Sequence, residues 1–137
     1  MLTNKTILIV DDYPKMRKII KKLLNMSGFN NIREASDAEQ ALFSLQYESI
    51  DIILTDWNMP GMTGLELIQE IRNDSQFRDI PILLTSVDGK KTRPIQAYRA
   101  GADGFIMKPF NSTTLYKRIK NAYSKSIGRK YNMSLSM

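Results

Sequence analysis

The sequence predicts an α/β fold: a five-stranded parallel sheet with five helices on both faces. Three features carry that reading. Short β-branched apolar runs alternate with stretches of helical periodicity five times over. The run Ile52-Ile53-Leu54-Thr55-Asp56 is apolar on both faces of the pleat, as a strand buried in the middle of a parallel sheet must be. Each run stops at a polar residue, and parallel strands all end at one edge.

The elements follow in order. Thr6 to Val10 is a first strand, closed by Asp11-Asp12. Pro14 suits the first turn of a helix, where its missing N–H would have no partner. Met16, Ile19, Ile20, Leu23 and Leu24 then line one buried helix face, and Gly28 ends the helix. Asn31 to Ala35 is the second strand. Ser36-Asp37-Ala38-Glu39 reads as a capping box for a helix with Ala38, Ala41, Leu42 and Leu45 inside. After the Asp56 strand, Gly61 and Gly64 read as a flexible loop. Thr63-Gly64-Leu65-Glu66 is another capping box, opening a helix that buries Leu65, Leu67, Ile68 and Ile71. Pro81 to Thr85 is the fourth strand, ending at Ser86. A helix over Thr92 to Ala100, stopped by Gly101, leads to the fifth strand, Gly104 to Met107. Asn111 or Ser112 caps the last helix, which turns Leu115, Ile119, Ala122 and Tyr123 inward. The domain is read as residues 1–126, with 127–137 as a short basic tail where the helical pattern fades.

Composition narrows the chemistry. The 137 residues contain no cysteine and no histidine, which excludes disulfides, thiol chemistry, imidazole catalysis and His-ligated metals. The apolar runs are too short to span a bilayer and the start does not read as a signal peptide, so a cytoplasmic protein is expected. The net charge of +6 is uneven. No acid lies between Tyr13 and Arg33, nor after Asp103, while Lys15, Arg17, Lys18, Lys21 and Lys22 crowd one stretch. Lys117, Arg118, Lys120, Lys125, Arg129 and Lys130 crowd the other. These are either solvated helix faces or a surface for an acidic partner or nucleic acid.

The strand ends supply the site. Asp11, Asp12, Asp56, Ser86 and Lys108 all fall just past strand C-termini and so share one rim. Clustered carboxylates repel one another unless water or a cation compensates, and an oxygen-only donor set favours Mg²⁺. Ser86 and Lys108 can donate hydrogen bonds to phosphate oxygens, and a carboxylate beside Mg²⁺ can attack phosphorus. Singly, each residue has a plainer reading: a solvated turn at Asp11-Asp12, a helix-entry serine at Ser86, or a cis Lys108–Pro109 bond kept for shape. Five such residues at the ends of four of the five strands leave those readings little room.

This pattern, with Asp56-Trp57-Asn58-Met59-Pro60, Gly64-Leu65-Glu66-Leu67 and Lys108-Pro109-Phe110, resembles the receiver domain of two-component response regulators, and the chemotaxis members most closely. The resemblance covers about nine tenths of the chain. It implies a flavodoxin-like sheet of order 2-1-3-4-5. It also implies that Asp56 accepts a phosphoryl group from a histidine kinase. Mg²⁺ would be held by Asp11, Asp12, Asp56 and the backbone carbonyl of Asn58, with Ser86 and Lys108 on the phosphoryl group. Phe105 would move with Ser86 to change the face formed by the fourth helix, fifth strand and fifth helix. Asn58 and Asp88 would tune dephosphorylation, Asp88 either orienting water or capping the next helix. The implied partners are the kinase, a flagellar motor switch protein or other output protein, and a phosphatase. The chain itself would be a monomer that catalyses only its own phosphorylation and dephosphorylation.

Chemotaxis members carry threonine at the Ser86 position and tyrosine at the Phe105 position. Serine keeps the donor. Phe105 keeps the ring without a hydroxyl to satisfy, which favours inward packing. The alternatives are a stand-alone receiver outside chemotaxis, acting as a phosphorelay shuttle or phosphate sink, and a Mg²⁺-dependent aspartyl phosphatase. The phosphatases want a second acid where this chain has Asn58. A DNA-binding regulator would have to use its basic helices directly.

Overall fold

A computed structural model describes residues 1–136. The strands are β1 (Ile7–Val10), β2 (Ile32–Ala35), β3 (Ile52–Asp56), β4 (Ile82–Ser86) and β5 (Gly104–Met107). The helices are α1 (Pro14–Met26), α2 (Ala38–Tyr47), α3 (Gly64–Asn73), α4 (Thr92–Ala100) and α5 (Ser112–Ser136). All strand pairs are parallel and the order is β2-β1-β3-β4-β5, as the resemblance implies.

Alternation along each strand divides the core into two layers. Leu8, Val10, Ile53 and Leu84 face a layer shared with α2, α3 and α4. Ile7, Ile9, Leu54 and Leu83 face the layer built with α1 and α5, where Ile20, Leu24, Leu115 and Ile119 are buried. The register sets the rim: Val10 pairs with Thr55, Asp56 with Thr85 and Ser86 with Met107, so the polar strand ends lie side by side.

Two local readings change and one open reading is settled. Ile19 lies on the outer side of α1 and is 52% exposed, because Met16, Ile20, Leu23 and Leu24 already fill the stripe that faces the sheet. At α2 the cap is Asp37, not Ser36. The Asp37 carboxylate accepts from the Gln40 amide at 2.8 Å, and the Gln40 side chain accepts from the Ser36 N–H at 3.0 Å. The expected box does not form, because the Gln40 side chain reaches the Ser36 amide and not that of the cap residue Asp37. The α3 box is formed as read, with Thr63 and Glu66 capping each other's amides. Asn111, rather than Ser112, caps α5 by accepting from the Thr114 N–H at 2.8 Å.

The largest difference is at the C-terminus. Where the apolar pattern fades, α5 runs on through Ser136; Met137 lies outside the described residues. Polar contacts anchor the helix at Ser126 and Arg129, where the extension begins. Ser126 Oγ donates to the Asp79 carbonyl, Arg129 Nη2 donates to the same carbonyl at 3.0 Å, and Arg129 Nη1 donates to Asp103. Asp103 is almost fully buried and also accepts from the Ile82 amide at 3.0 Å and from Arg72 at 2.9 Å. Arg72 in turn donates to the carbonyls of Arg78, Ile80 and Gly101. One buried carboxylate therefore ties α3, α5 and the turn before β5.

Charge is unevenly divided along the chain. Residues 34–79, which contain α2 and α3, hold ten of the chain's 14 acids and, in Arg72 and Arg78, two of its 20 bases. Their net charge is thus −8 and that of the remainder +14. α1 and α5 pack against each other, and Phe29, just beyond α1, lies against Tyr116 of α5, which puts both basic stretches on the same side of the sheet.

Removing the Asp103 carboxylate leaves Arg72 with a buried, unpaired charge. Asp103→Ala is expected to lower stability by about 3 kcal/mol, read as a lower urea midpoint. A change under about 0.5 kcal/mol would show that the cluster contributes nothing net.

Candidate functional site

The rim gathers the side chains that the sequence assigned to it. β1 ends in Asp11, which is buried: its Oδ1 accepts from the Tyr13 N–H at 2.9 Å and its Oδ2 from Lys108 Nζ at 3.0 Å. Arg17, one turn into α1, donates to the Asp11 carbonyl at 2.6 Å and pairs with Glu34. Asp12 is exposed beside it. β3 ends in Asp56, whose Oδ1 accepts from the Trp57 N–H at 2.9 Å and from Lys108 Nζ at 3.2 Å. Its Oδ2 accepts no hydrogen bond among the described residues. Lys108, with a side chain only 7% exposed, thus bridges two strands' carboxylates. The bond from Lys108 to Pro109 is cis.

Ligand oxygens of Asp11, Asp12 and Asp56 lie within 4.8 Å of one another. Three carboxylates and one ammonium leave two negative charges, the complement of one divalent cation. Oxygen-only donors suit a hard ion. The residues present fit such an ion on both counts.

Burial raises the Asp56 carboxyl above its ordinary value of 3.8, and the Asp11 charge adds to the rise; Lys108 and the Trp57 amide oppose it. Without a cation, then, the ionised Asp56 carboxylate is disfavoured in the fold.

Ser86 is fully buried, and its Oγ accepts from the Asp88 N–H at 3.1 Å. Phe105 is buried as well, meeting Trp57 edge-on with ring centroids 6.4 Å apart. Asn58 is exposed in the loop after β3. Asp88 is partly exposed and does not cap α4, whose cap position is Lys91 with no side-chain bond. Its Oδ1 accepts from the Lys90 amide at 2.9 Å and its Oδ2 from Arg93 Nε at 3.2 Å. The Lys90 amide, with the Arg93 and Lys90 charges, holds its carboxyl below the usual value.

Two positions carry more than the sequence suggests. Gly64, expected in a flexible loop, is buried at the start of α3, and its N–H donates to the Trp57 carbonyl at 2.8 Å. A Cβ there would overlap the Asp56 carbonyl oxygen and come within 2.9 Å of Leu84 Cδ1. The glycine is required by close approach, not by mobility. Arg93 stands out in the sequence only as part of a helix; its guanidinium lies 4.1 Å from the Trp57 ring centroid. No helical spacing announces the Asp88–Arg93 pair, because residues 88–91 precede the helix.

The sheet order and the acidic cluster fit the response regulator receiver domain, and a profile of that family matches residues 7–120. The chain belongs to the response regulator receiver family. It is 42% identical over 122 residues to Chemotaxis protein CheY-3 of Vibrio cholerae, spanning 89% of this chain and 94% of that one. It is 41% identical over 122 residues to Chemotaxis protein CheY of Pseudomonas aeruginosa, spanning 89% and 98%. Among solved structures, chemotaxis response regulator CheY4 of Vibrio cholerae superposes with a TM-score of 0.79 at 32% identity, covering 87% of this chain and 98% of that one. The Francisella response regulator 1452 receiver domain gives 0.78 at 28% identity, covering 90% and 99%. The chain is a two-component response regulator of the CheY type. Among the described residues no helix is long and apolar enough to cross a membrane.

The raised Asp56 carboxyl has a testable sign. A carboxyl raised in the fold makes the protein lose stability as pH climbs from the unfolded value through the folded one. In metal-free buffer at pH 7, Asp56→Asn should therefore be the more stable protein by about 1 kcal/mol, or about 3 °C in Tm. The gap should close in acid below the ordinary carboxylate value. A less stable variant at pH 7 would contradict the electrostatic account.

Proposed function

We propose that this protein is a chemotaxis-type phosphorylation switch in which Asp56 is the phosphoacceptor. The observation that carries the reading is Lys108 Nζ seated between Asp11 and Asp56, with the three carboxylates and Ser86 on the same rim. Transfer takes place by attack of an Asp56 carboxylate oxygen on the phosphorus of a phosphohistidine. The new O–P bond forms as the N–P bond breaks and the imidazole leaves. Asp11, Asp12, Asp56 and the Asn58 carbonyl would hold Mg²⁺, which when bound neutralises charge on the phosphoryl oxygens. Lys108 donates to one of those oxygens and the Ser86 hydroxyl to another. Lys108 must for that turn from the carboxylates toward the incoming group, and the phosphate's charge rewards the move.

Movement of the Ser86 hydroxyl is coupled to Phe105, whose ring has no polar atom to desolvate and packs inward against Trp57. The face made by α4, β5 and α5 then changes its preference for an output protein, the flagellar motor switch in a chemotaxis pathway. Asn58 and Asp88 bear on the attack of water that ends the signal. The protein acts as a cytoplasmic monomer, with residues 1–126 as the receiver, and its only catalysis is on its own Asp56. The exposed Lys18 and Lys21 belong to a basic α1–α5 surface that suits an acidic protein partner.

Beryllofluoride with Mg²⁺ should shift the amide resonances around Asp56, Ser86 and Phe105 in the wild type and leave Asp56→Asn unchanged. Equal responses in the two proteins would sink the phosphoacceptor assignment. Lys18→Glu and Lys21→Glu should each weaken binding to the kinase or output protein by roughly threefold or more, as loss of steering charge does. Unchanged affinity and on-rate would leave these lysines as solvated surface.

A further inference from the structure

Arg93 touches both groups that flank the rim. Its Nε and Nη2 each lie 3.2 Å from Asp88 Oδ2, and its guanidinium covers the Trp57 ring at 4.1 Å. Each contact leads inward. The Asp88 N–H donates to Ser86 Oγ, the Trp57 N–H donates to Asp56 Oδ1, and the Trp57 ring meets Phe105 edge-on. Both side chains of the ion pair are about four-fifths buried, at 22% and 23% exposure, which sets it apart from a solvated surface pair. A planar cation that stacks on an indole and pairs with a carboxylate at once is held more firmly than either contact alone would hold it.

We propose that Arg93 is a positioning residue that sets the lifetime of the phosphoryl group on Asp56, by holding the Asp88 carboxylate against the start of α4. The inference rests on the reading of Asp56 as phosphoacceptor. Loss of the signal is hydrolysis: water attacks phosphorus, the bond from phosphorus to the Asp56 oxygen breaks, and inorganic phosphate leaves with the water's oxygen and both its protons. Asp56 is left as a carboxylate. A carboxylate two residues past Ser86 can orient that water by accepting its proton in a hydrogen bond. In the latched arrangement Asp88 Oδ1 is taken by the Lys90 amide and Oδ2 by Arg93, and the negative charge is paired. Released from Arg93, Oδ2 is open to water while the Lys90 amide still fixes the carboxylate's place. The same release uncovers one face of Trp57, so the latch has a spectroscopic signature in the chain's single tryptophan.

The test uses the full chain, loaded with acetyl phosphate and Mg²⁺ and then stripped of donor, with loss of phosphate followed over time. Arg93→Ala should lose phosphate about three- to tenfold faster, the size of coupling expected between side chains in contact. The resting Trp57 emission should shift with it. Arg93→Lys, which keeps the charge but not the planar stack, should fall between. In an Asp88→Asn background Arg93→Ala should change the lifetime little. Equal or longer lifetimes in Arg93→Ala, or an acceleration that persists undiminished with Asp88→Asn, would overturn the proposal. Should the alanine variant fold poorly, Arg93→Lys decides the matter by the same comparison. A wild type that takes up no phosphate would instead overturn the reading of Asp56, so the two failures are distinguishable.

Discussion

Lys108 is the contact on which the rim depends. Two carboxylates about 4 Å apart at an effective dielectric near 20 repel by about 4 kcal/mol, a cost comparable to the net stability of a domain. The ammonium between Asp11 and Asp56 offsets it in the resting protein. It does so only in part, since the Asp56 carboxyl is still raised. The site is thus left with negative charge to spare, which a divalent cation would complement. Other parts of the fold serve to keep that arrangement in place: the parallel register that aligns the strand ends, the buried Asp11, and the missing side chain at Gly64.

The sheet and its rim are legible in the sequence because they rest on short-range signals. A strand buried on both faces must be apolar on both faces, and a polar residue must wait until the strand leaves the core. Asp56, Ser86 and Lys108 can be read off in that way. Ile19 cannot, since a five-residue apolar stripe is wider than the face α1 presents to the sheet. The α5 extension escapes for a related reason. It is anchored by Ser126 and Arg129 reaching Asp79 and Asp103, partners 47 and 26 residues away, and periodicity sees neither. Gly64 misleads because a glycine before a helix looks the same whether it bends or makes room.

The sheet carries a polar cluster at each end. At the C-terminal ends of the strands, acids outnumber the cation among them and the arrangement invites a ligand. At the other end, Asp103 is matched by Arg72 and Arg129 and has no charge to spare. The second cluster pins the turns leading into β4 and β5, the two strands whose far ends bear Ser86 and Lys108. Rigidity at one end of a four- or five-residue strand limits wander at the other.

Charge is separated across the sheet, with α2 and α3 as a negative pole and α1 and α5 as a positive one, although Arg93 and Arg99 of α4 reduce the contrast. A field of that shape acts before any contact is made. It turns the diffusing protein so that one pole leads, and it repels a like-oriented copy. Encounter with a charged partner then becomes a matter of ionic strength as well as fit. The same substitutions that leave every bond at Asp56 untouched can set how often, and which way round, the protein arrives.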